Sequence, residues 1–137
     1  KNLGLEVRID AQIFKQRLAK MTSGDFDLVM SGWGPDYFDA LTFGDLFASY
    51  NLNNRGRYNN PELDALIRIG QTELDPQTRM DAFGEIQRII NEEVVILPMY
   101  ERGWSFVVDS RLKGMIRRQV GPEVDYNYAF IDDSAER

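Results

Sequence analysis

Residues 32–43 read GWGPDYFDALTF and lie between an apolar run at 26–30 and the start of a helical pattern. In open α/β sheets, ligands bind in the crevice outside the carboxyl ends of the strands, which is the place predicted for this stretch. Its two glycines allow close approach of the backbone, and its proline restricts the empty loop. The stretch therefore predicts a stiff loop that presents backbone polar groups and a carboxylate to a ligand. A Gly/Pro turn around a core tryptophan is the alternative interpretation.

The segment before this loop predicts a β-α-β unit. Apolar and charged residues alternate at 5–9, as in a half-buried strand, and Asp10 is placed to cap the following helix. That helix carries apolar residues on one face at 13–21 and ends at Gly24. The run at 26–30 is apolar on both faces and predicts a central strand. Together these elements predict a parallel sheet with a right-handed crossover.

Helices are predicted to follow the loop. Aromatic and apolar residues recur at helical spacing through 43–50, whereas the polar, Asn-rich stretch 51–60 predicts an exposed loop. A capping residue followed by proline, the signal for a helix start, occurs at 60–61 and again at 75–76. The predicted buried positions of these two helices are Leu63, Leu66, Ile67, Met80, Phe83, Ile86, Ile89 and Ile90.

The last third of the chain favours β-structure. The pattern predicts a strand at 94–100, in which Pro98 excludes the centre of a sheet except at a bulge or strand end. β-Character resumes at 104–108, and alternation at 126–130 predicts a last strand. Residues 132–137 are expected to form a frayed tail.

Composition narrows the possible functions. The chain has 137 residues with a formal net charge of −6, and it contains no cysteine and no histidine. Nucleic acid is an unfavourable partner, because phosphate binding needs a basic face. The missing thiols and imidazoles remove disulfides, a cysteine nucleophile and the commonest general base. Carboxylates alone are a poor ligand set for zinc or nickel, so we expect no metal site.

Three motifs carry a family resemblance. The sequence GWGPDYFDALTF at 32–43 resembles the signature loop of the family 5 extracellular solute-binding proteins, the peptide receptors of ABC importers. The segments LPMYERG at 97–103 and VGPEVDYNYAFI at 120–131 are similar to this family as well, within its Gram-positive oligopeptide-binding branch. The resemblance runs from Asn2 to Ile131, and the full family protein is several times longer.

The resemblance implies an α/β fold, namely an incomplete C-terminal lobe of a periplasmic-binding-protein-like type II fold. Residues 1–102 would belong to the ligand-binding lobe, residues 103–131 would return toward the hinge and the N-terminal lobe, and 132–137 would be a tail. It implies a binding protein without catalysis or cofactor, with an oligopeptide ligand and an importer permease as partners. It also implies a place on the extracellular face of the membrane, lipid-anchored, or in the periplasm of a Gram-negative cell. Because strand edges are left unpaired, we expect the fragment to self-associate.

The resemblance also implies roles for individual residues of the loop. Asp36 holds the position that pairs with the α-amino group of the peptide, and charge-assisted hydrogen bonds are the strong ones. Gly32 and Gly34 stand where the loop backbone binds the extended peptide by strand addition, and Trp33 matches an aromatic residue that lines a side-chain pocket. The family often has proline near Ala40, so the local turn differs here. Two further candidates are Arg102, for a ligand carboxylate, and Tyr37, for a pocket wall.

Two other functions compete with the oligopeptide receptor. The first is a receptor of the same family that binds dipeptides, nickel or another small solute. The second is a hydrolase that uses Asp36 and Asp39, since residues three apart on a loop can place two carboxyl groups at a catalytic separation. The absence of histidine disfavours the enzyme. Binding without turnover is the observation that separates a receptor from a hydrolase.

Overall fold

The computed structural model describes residues 3–118, 120–121 and 123–136. Residues 135 and 136 are described by their backbone alone. The structure is mainly helical up to residue 92, and short antiparallel strand pairs follow in the last third. None of the helices in the described ranges is long and apolar enough to cross a membrane. The helices are α1 (Phe14–Ser23), α2 (Leu41–Gly44), α3 (Pro61–Thr72) and α4 (Pro76–Glu92), with 3₁₀ turns at Asp45–Phe47 and Asp133–Glu136.

Local signals place the helix ends as predicted, with one exception. The Asn60 side chain accepts hydrogen bonds from the first turn of α3, and Asp75 caps α4 by accepting from Thr78 N at 2.8 Å. Gly24 ends α1 in the left-handed conformation, with φ of 79°. The predicted cap by Asp10 is wrong: α1 begins without a side-chain cap, and Asp10 instead forms an ion pair with Lys20.

The core lies between α3 and α4. Leu63 and Ile67 of α3 are fully buried against Phe83 and Ile86 of α4. The prediction of a buried Met80 is wrong, because this side chain is 68% exposed. The guanidinium of Arg79 lies over the Phe83 ring instead, 5.0 Å from its centroid. The buried cluster comprises Ala48, Leu63, Ile67, Phe83, Ile86 and Ile89.

Helix α2 fixes the end of the loop 32–43 to this core. Thr42 and Gly44 are buried, and a Cβ on Gly44 would lie 3.6 Å from the Phe83 ring. The loop predicted at 51–60 forms, but half of its residues are partly buried, and a hydrogen bond of 2.6 Å from the Tyr58 hydroxyl to Glu93 ties it to the C-terminal end of α4. The loop 32–43 therefore emerges from the best-packed part of the chain.

The predicted strands at 5–9, 26–30, 94–100 and 104–108 do not form. The β-α-β unit predicted from the first two of them is therefore not formed either. Leu5, Val7 and Leu28 are 64%, 75% and 91% exposed, so the described residues leave most of the apolar surface of these segments uncovered. The physical reason is that a strand needs a neighbouring strand to satisfy its backbone groups.

Among the described residues near the C-terminal end, four two-residue strands form instead. Strand β1 (Leu112–Lys113) pairs antiparallel with β4 (Phe130–Ile131), and β2 (Ile116–Arg117) pairs antiparallel with β3 (Val124–Asp125). The strand predicted at 126–130 is thus confirmed only at Phe130, its last residue. The motif at 120–131 includes residue 122, and the predicted tail includes residue 137; both of these residues lie outside the described part.

Candidate functional site

A half-open cleft of about 100 Å³ lies between the loop 32–43 and the turn that follows α2. Two aromatic rings, two carboxylates and two side-chain amides line it, and none of the lining side chains is cationic. The loop supplies one wall, and the segment 45–53 supplies the other through Asp45, Leu46, Asn51 and Asn53. The lining residues are Trp33, Asp36, Tyr37, Thr42, Asp45, Leu46, Asn51 and Asn53.

Asp36 presents its carboxylate to this cleft. Its main-chain N–H donates a hydrogen bond of 3.1 Å to the Thr42 hydroxyl, which fixes the backbone at this point. The side chain is exposed, and no residue in the described ranges donates a hydrogen bond to the carboxylate or forms an ion pair with it. The carboxylate is therefore open to a cation that approaches through the cleft.

Asp39, the other carboxylate of the loop, is engaged by the protein itself. Its Oδ1 accepts hydrogen bonds from Arg79 at 2.6 Å and from the Leu41 N–H at 2.9 Å. These two hydrogen bonds, Arg79 first, hold the pKa of Asp39 below its usual value. Arg79 also donates to the carbonyl of Gly70 at 2.8 Å, so it joins the loop to both α3 and α4. Asp39 is consequently a structural anchor.

The opposite wall adds negative charge to the cleft. Both oxygens of Asp45 accept hydrogen bonds from amides, at 2.6 Å from Asn51 and at 3.3 Å from Gln71, but these donors leave its charge uncompensated. The pKa of the Tyr37 phenol is raised, first by burial and then by the charges of Asp45, Asp39 and Asp36. The potential at this cleft favours a cationic group.

The backbone before Asp36 is free to bind a ligand. The main-chain groups of Gly32 and Gly34 form no hydrogen bond within the described part of the chain, and no atom lies within 4 Å of a Cβ built on either residue. Trp33 between them is 36% exposed, and its indole N–H lies 3.5 Å from the Thr42 hydroxyl. This arrangement leaves room for an extended chain beside the loop.

The sixth predicted site residue lies elsewhere. Arg102 does not line the cleft, and its guanidinium stacks over the Trp104 ring, 4.0 Å from the centroid. Its role toward a ligand carboxylate stays a prediction. No group of three or more acidic side chains in the described residues is arranged to hold a metal ion.

Five of the lining residues were not predicted as site residues, namely Thr42, Asp45, Leu46, Asn51 and Asn53. Thr42 lies within the motif at 32–43, near its end, but the sequence analysis assigned it no role. Asp45, Asn51 and Asn53 come from the segment that was interpreted as helix and solvated loop. Only the fold of 45–53 back onto the loop reveals these three side chains as a wall.

Comparison with known proteins places the chain among binding proteins of importers. No family model matches the sequence. The chain is 32% identical over 132 residues to the oligopeptide-binding protein OppA of Bacillus subtilis, an alignment that covers 96% of the chain and 24% of that protein. It is 30% identical over 114 residues to the periplasmic murein peptide-binding protein MppA of Escherichia coli, covering 83% of the chain and 21% of that protein.

Solved structures agree with the sequence relatives. The substrate-binding domain of an oligopeptide ABC transporter from Bacillus anthracis superimposes with a TM-score of 0.81 at 29% identity. This superposition covers 95% of the chain and 26% of that structure. The chain spans about a quarter of the length of the relatives it matches, so it represents part of their fold. The chain belongs to the family of peptide-binding proteins of ABC importers and corresponds to a fragment of such a receptor.

Proposed function

We propose that this chain is part of the C-terminal lobe of an extracellular receptor that binds oligopeptides for an ABC importer. The support comes from relatives whose names state oligopeptide or murein peptide binding and which align over most of the chain. In this proposal the receptor delivers its peptide to an importer permease. The receptor lies on the outer face of the membrane, held by a lipid anchor, or in the periplasm of a Gram-negative cell.

The observation that carries the proposal is the unpartnered carboxylate of Asp36 in a negatively charged cleft. The α-amino group of a peptide is an ammonium at neutral pH, and its hydrogen bonds to a carboxylate are charge-assisted and strong. The rings of Trp33 and Tyr37 border the same cleft and offer apolar surface to the first side chain of the peptide. Asp36 therefore serves as the anchor of the peptide N-terminus.

The free main-chain groups of Gly32 and Gly34 supply the second part of the binding mode. An extended peptide that lies along them adds a strand, with hydrogen bonds to groups that every peptide possesses. Affinity from backbone contacts with roomy side-chain pockets gives a receptor of broad specificity. The two glycines allow this approach because no side chain of theirs stands in the way.

The hydrolase alternative is disfavoured by the engagement of Asp39. The hydrogen bond from Arg79 and the lowered pKa of Asp39 favour a carboxylate that is ionised at neutral pH and already engaged, over a nucleophile or a general acid. The dipeptide alternative has a specific observation in its favour, since the dipeptide-binding protein DppE of Bacillus subtilis is 28% identical over 120 residues. Peptide length is therefore the variable to test.

Calorimetry of the full-length protein with peptides of graded length tests the proposal. We expect stoichiometric binding of peptides longer than two residues, without turnover. Each peptide is matched with its N-acetylated form, which carries no ammonium, and the acetylated form is expected to bind much more weakly. Equal binding of the two forms would contradict the role of Asp36, binding of dipeptides alone would favour the alternative receptor, and peptide cleavage would establish an enzyme.

A further inference from the structure

A single buried hydroxyl contacts the main chain of Asp36 and the side chain of Trp33, the two residues that are proposed to meet the first residue of the peptide. Thr42 is 4% exposed, and its Oγ1 accepts a hydrogen bond of 3.1 Å from the main-chain N–H of Asp36. The same oxygen lies 3.5 Å from Nε1 of Trp33, at the long end of a hydrogen bond. Its placement at the start of α2 means that the oxygen is held by a helix and not by a mobile loop.

A second contact holds the loop in position on the far side of Asp36. Asp39 accepts hydrogen bonds from the Leu41 N–H and from Arg79, and Arg79 is in turn bound to the Gly70 carbonyl. The backbone between Asp36 and Thr42 is thus fixed at both ends before any ligand arrives. A binding group that is already ordered avoids the entropy cost of ordering upon association.

We propose that Thr42 is a positioning residue for ligand binding, whose hydroxyl holds Asp36 and Trp33 in the arrangement that receives the N-terminal residue of a peptide. This inference rests on the proposed function. Without the hydroxyl, the main-chain N–H of Asp36 and the indole N–H of Trp33 both lose the acceptor that holds them beside α2. The loop then exchanges between conformations, and only a fraction of molecules is competent to bind.

The test compares Thr42→Val, which keeps the shape and removes the hydroxyl, with Thr42→Ser, which keeps the hydroxyl. Both are made in the full-length protein and titrated with a peptide that has a free amino terminus and with its N-acetylated form. We expect Thr42→Val to weaken binding of the free peptide by about fivefold to thirtyfold, with a smaller loss for the acetylated peptide. Thr42→Ser should restore most of the affinity.

A readout without ligand separates positioning from folding. The indole N–H resonance of Trp33, assigned through its loss in Trp33→Phe, is followed by NMR in the peptide-free protein. It should move in Thr42→Val and return toward its original position in Thr42→Ser. An unmoved resonance, an unchanged free-peptide affinity, or equal losses for free and acetylated peptide would overturn the role of Thr42. Absence of any peptide binding to the unsubstituted protein would overturn the proposed function instead.

Discussion

The guanidinium of Arg79 donates a hydrogen bond of 2.6 Å to Oδ1 of Asp39, across 40 positions of sequence. Through this contact helix α4 holds the loop that carries the candidate site. The two loop carboxylates therefore differ, because Asp39 is paired with Arg79 whereas the Asp36 carboxylate has no hydrogen-bond or ion-pair partner among the described residues. A change at Arg79 or Asp39 therefore acts on the loop without touching the carboxylate that is proposed to bind.

The stability contributed by Asp39 should depend on pH. Hydrogen bonds from Arg79 and the Leu41 N–H lower its pKa in the folded state, so the ionised carboxylate stabilises the fold above its unfolded pKa of about 4. This contribution is lost as the pH falls through the lower folded pKa. Asp39→Asn should reduce the free energy of unfolding at neutral pH, and the gap from the unsubstituted protein should narrow in acid. Denaturant unfolding at a series of pH values measures this difference in the free energy of unfolding.

The matched control for this prediction is Asp36→Asn, which changes a carboxylate of the same loop that has no partner among the described residues. Its effect on stability should be small at every pH. A gap for Asp39→Asn that stays constant down to strongly acidic pH would contradict an ion-pair contribution.

Two helical glycines should respond to alanine with opposite signs. A Cβ on Gly70 would lie 2.9 Å from Cζ of Phe83 in the packed core, so Gly70→Ala should destabilise the fold by about 1–3 kcal/mol. Gly84, on α4, has no atom within 4 Å of such a Cβ, and Gly84→Ala should stabilise the fold by about 0.5–1 kcal/mol. Urea unfolding of the two variants checks both, and stabilisation by Gly70→Ala would show that α3 and α4 pack differently.

Asp36→Ala should strongly weaken peptide binding in the full-length receptor. In the proposed two-lobe receptor the peptide is enclosed between the lobes, so the substitution leaves the α-ammonium buried without its partner, which costs roughly two to three and a half orders of magnitude in affinity. Asp36→Asn should also be costly, because it removes the charge and keeps the size, whereas Asp39→Ala should matter much less. Calorimetry with one free peptide measures each variant.

The N-acetylated form of that peptide is the control for the Asp36 prediction. It should bind the native receptor poorly, and Asp36→Ala should cause little further loss. Equal losses for the free and acetylated peptides would assign Asp36 a structural role in the turn and would refute the amine anchor.

The chain produced alone should self-associate. Its segments at 5–9 and 26–30 expose apolar side chains and have no strand partners in the part of the chain that the structure describes. Unpaired edges and exposed apolar surface both favour pairing with another copy. Sedimentation velocity over a range of concentrations should reveal dimers or larger species, while the full-length protein serves as the control. A monodisperse monomer in which the two segments pair directly would rule this out.

The sequence by itself determined the features that depend on near neighbours. The caps at Asn60 and Asp75 and the glycine end of α1 were predictable, because a helix satisfies its backbone groups within four residues. The apolar stripes of α3 and α4 followed from helical periodicity, apart from Met80. The motif at 32–43 identified the candidate loop and its two carboxylates from the sequence alone.

Only the tertiary structure decided which groups of the loop remain available. The contacts of Asp39 with Arg79 and of Asp36 with Thr42 depend on how α2 and α4 pack, and no local pattern encodes that packing. The strands predicted at 5–9 and 26–30 did not form, because strand formation also depends on parts of the chain that are distant in sequence. The backbone groups of a strand bond to a neighbouring strand, which can be distant in sequence. An alternating sequence therefore predicts that a segment is able to pair, but the fold must supply its partner.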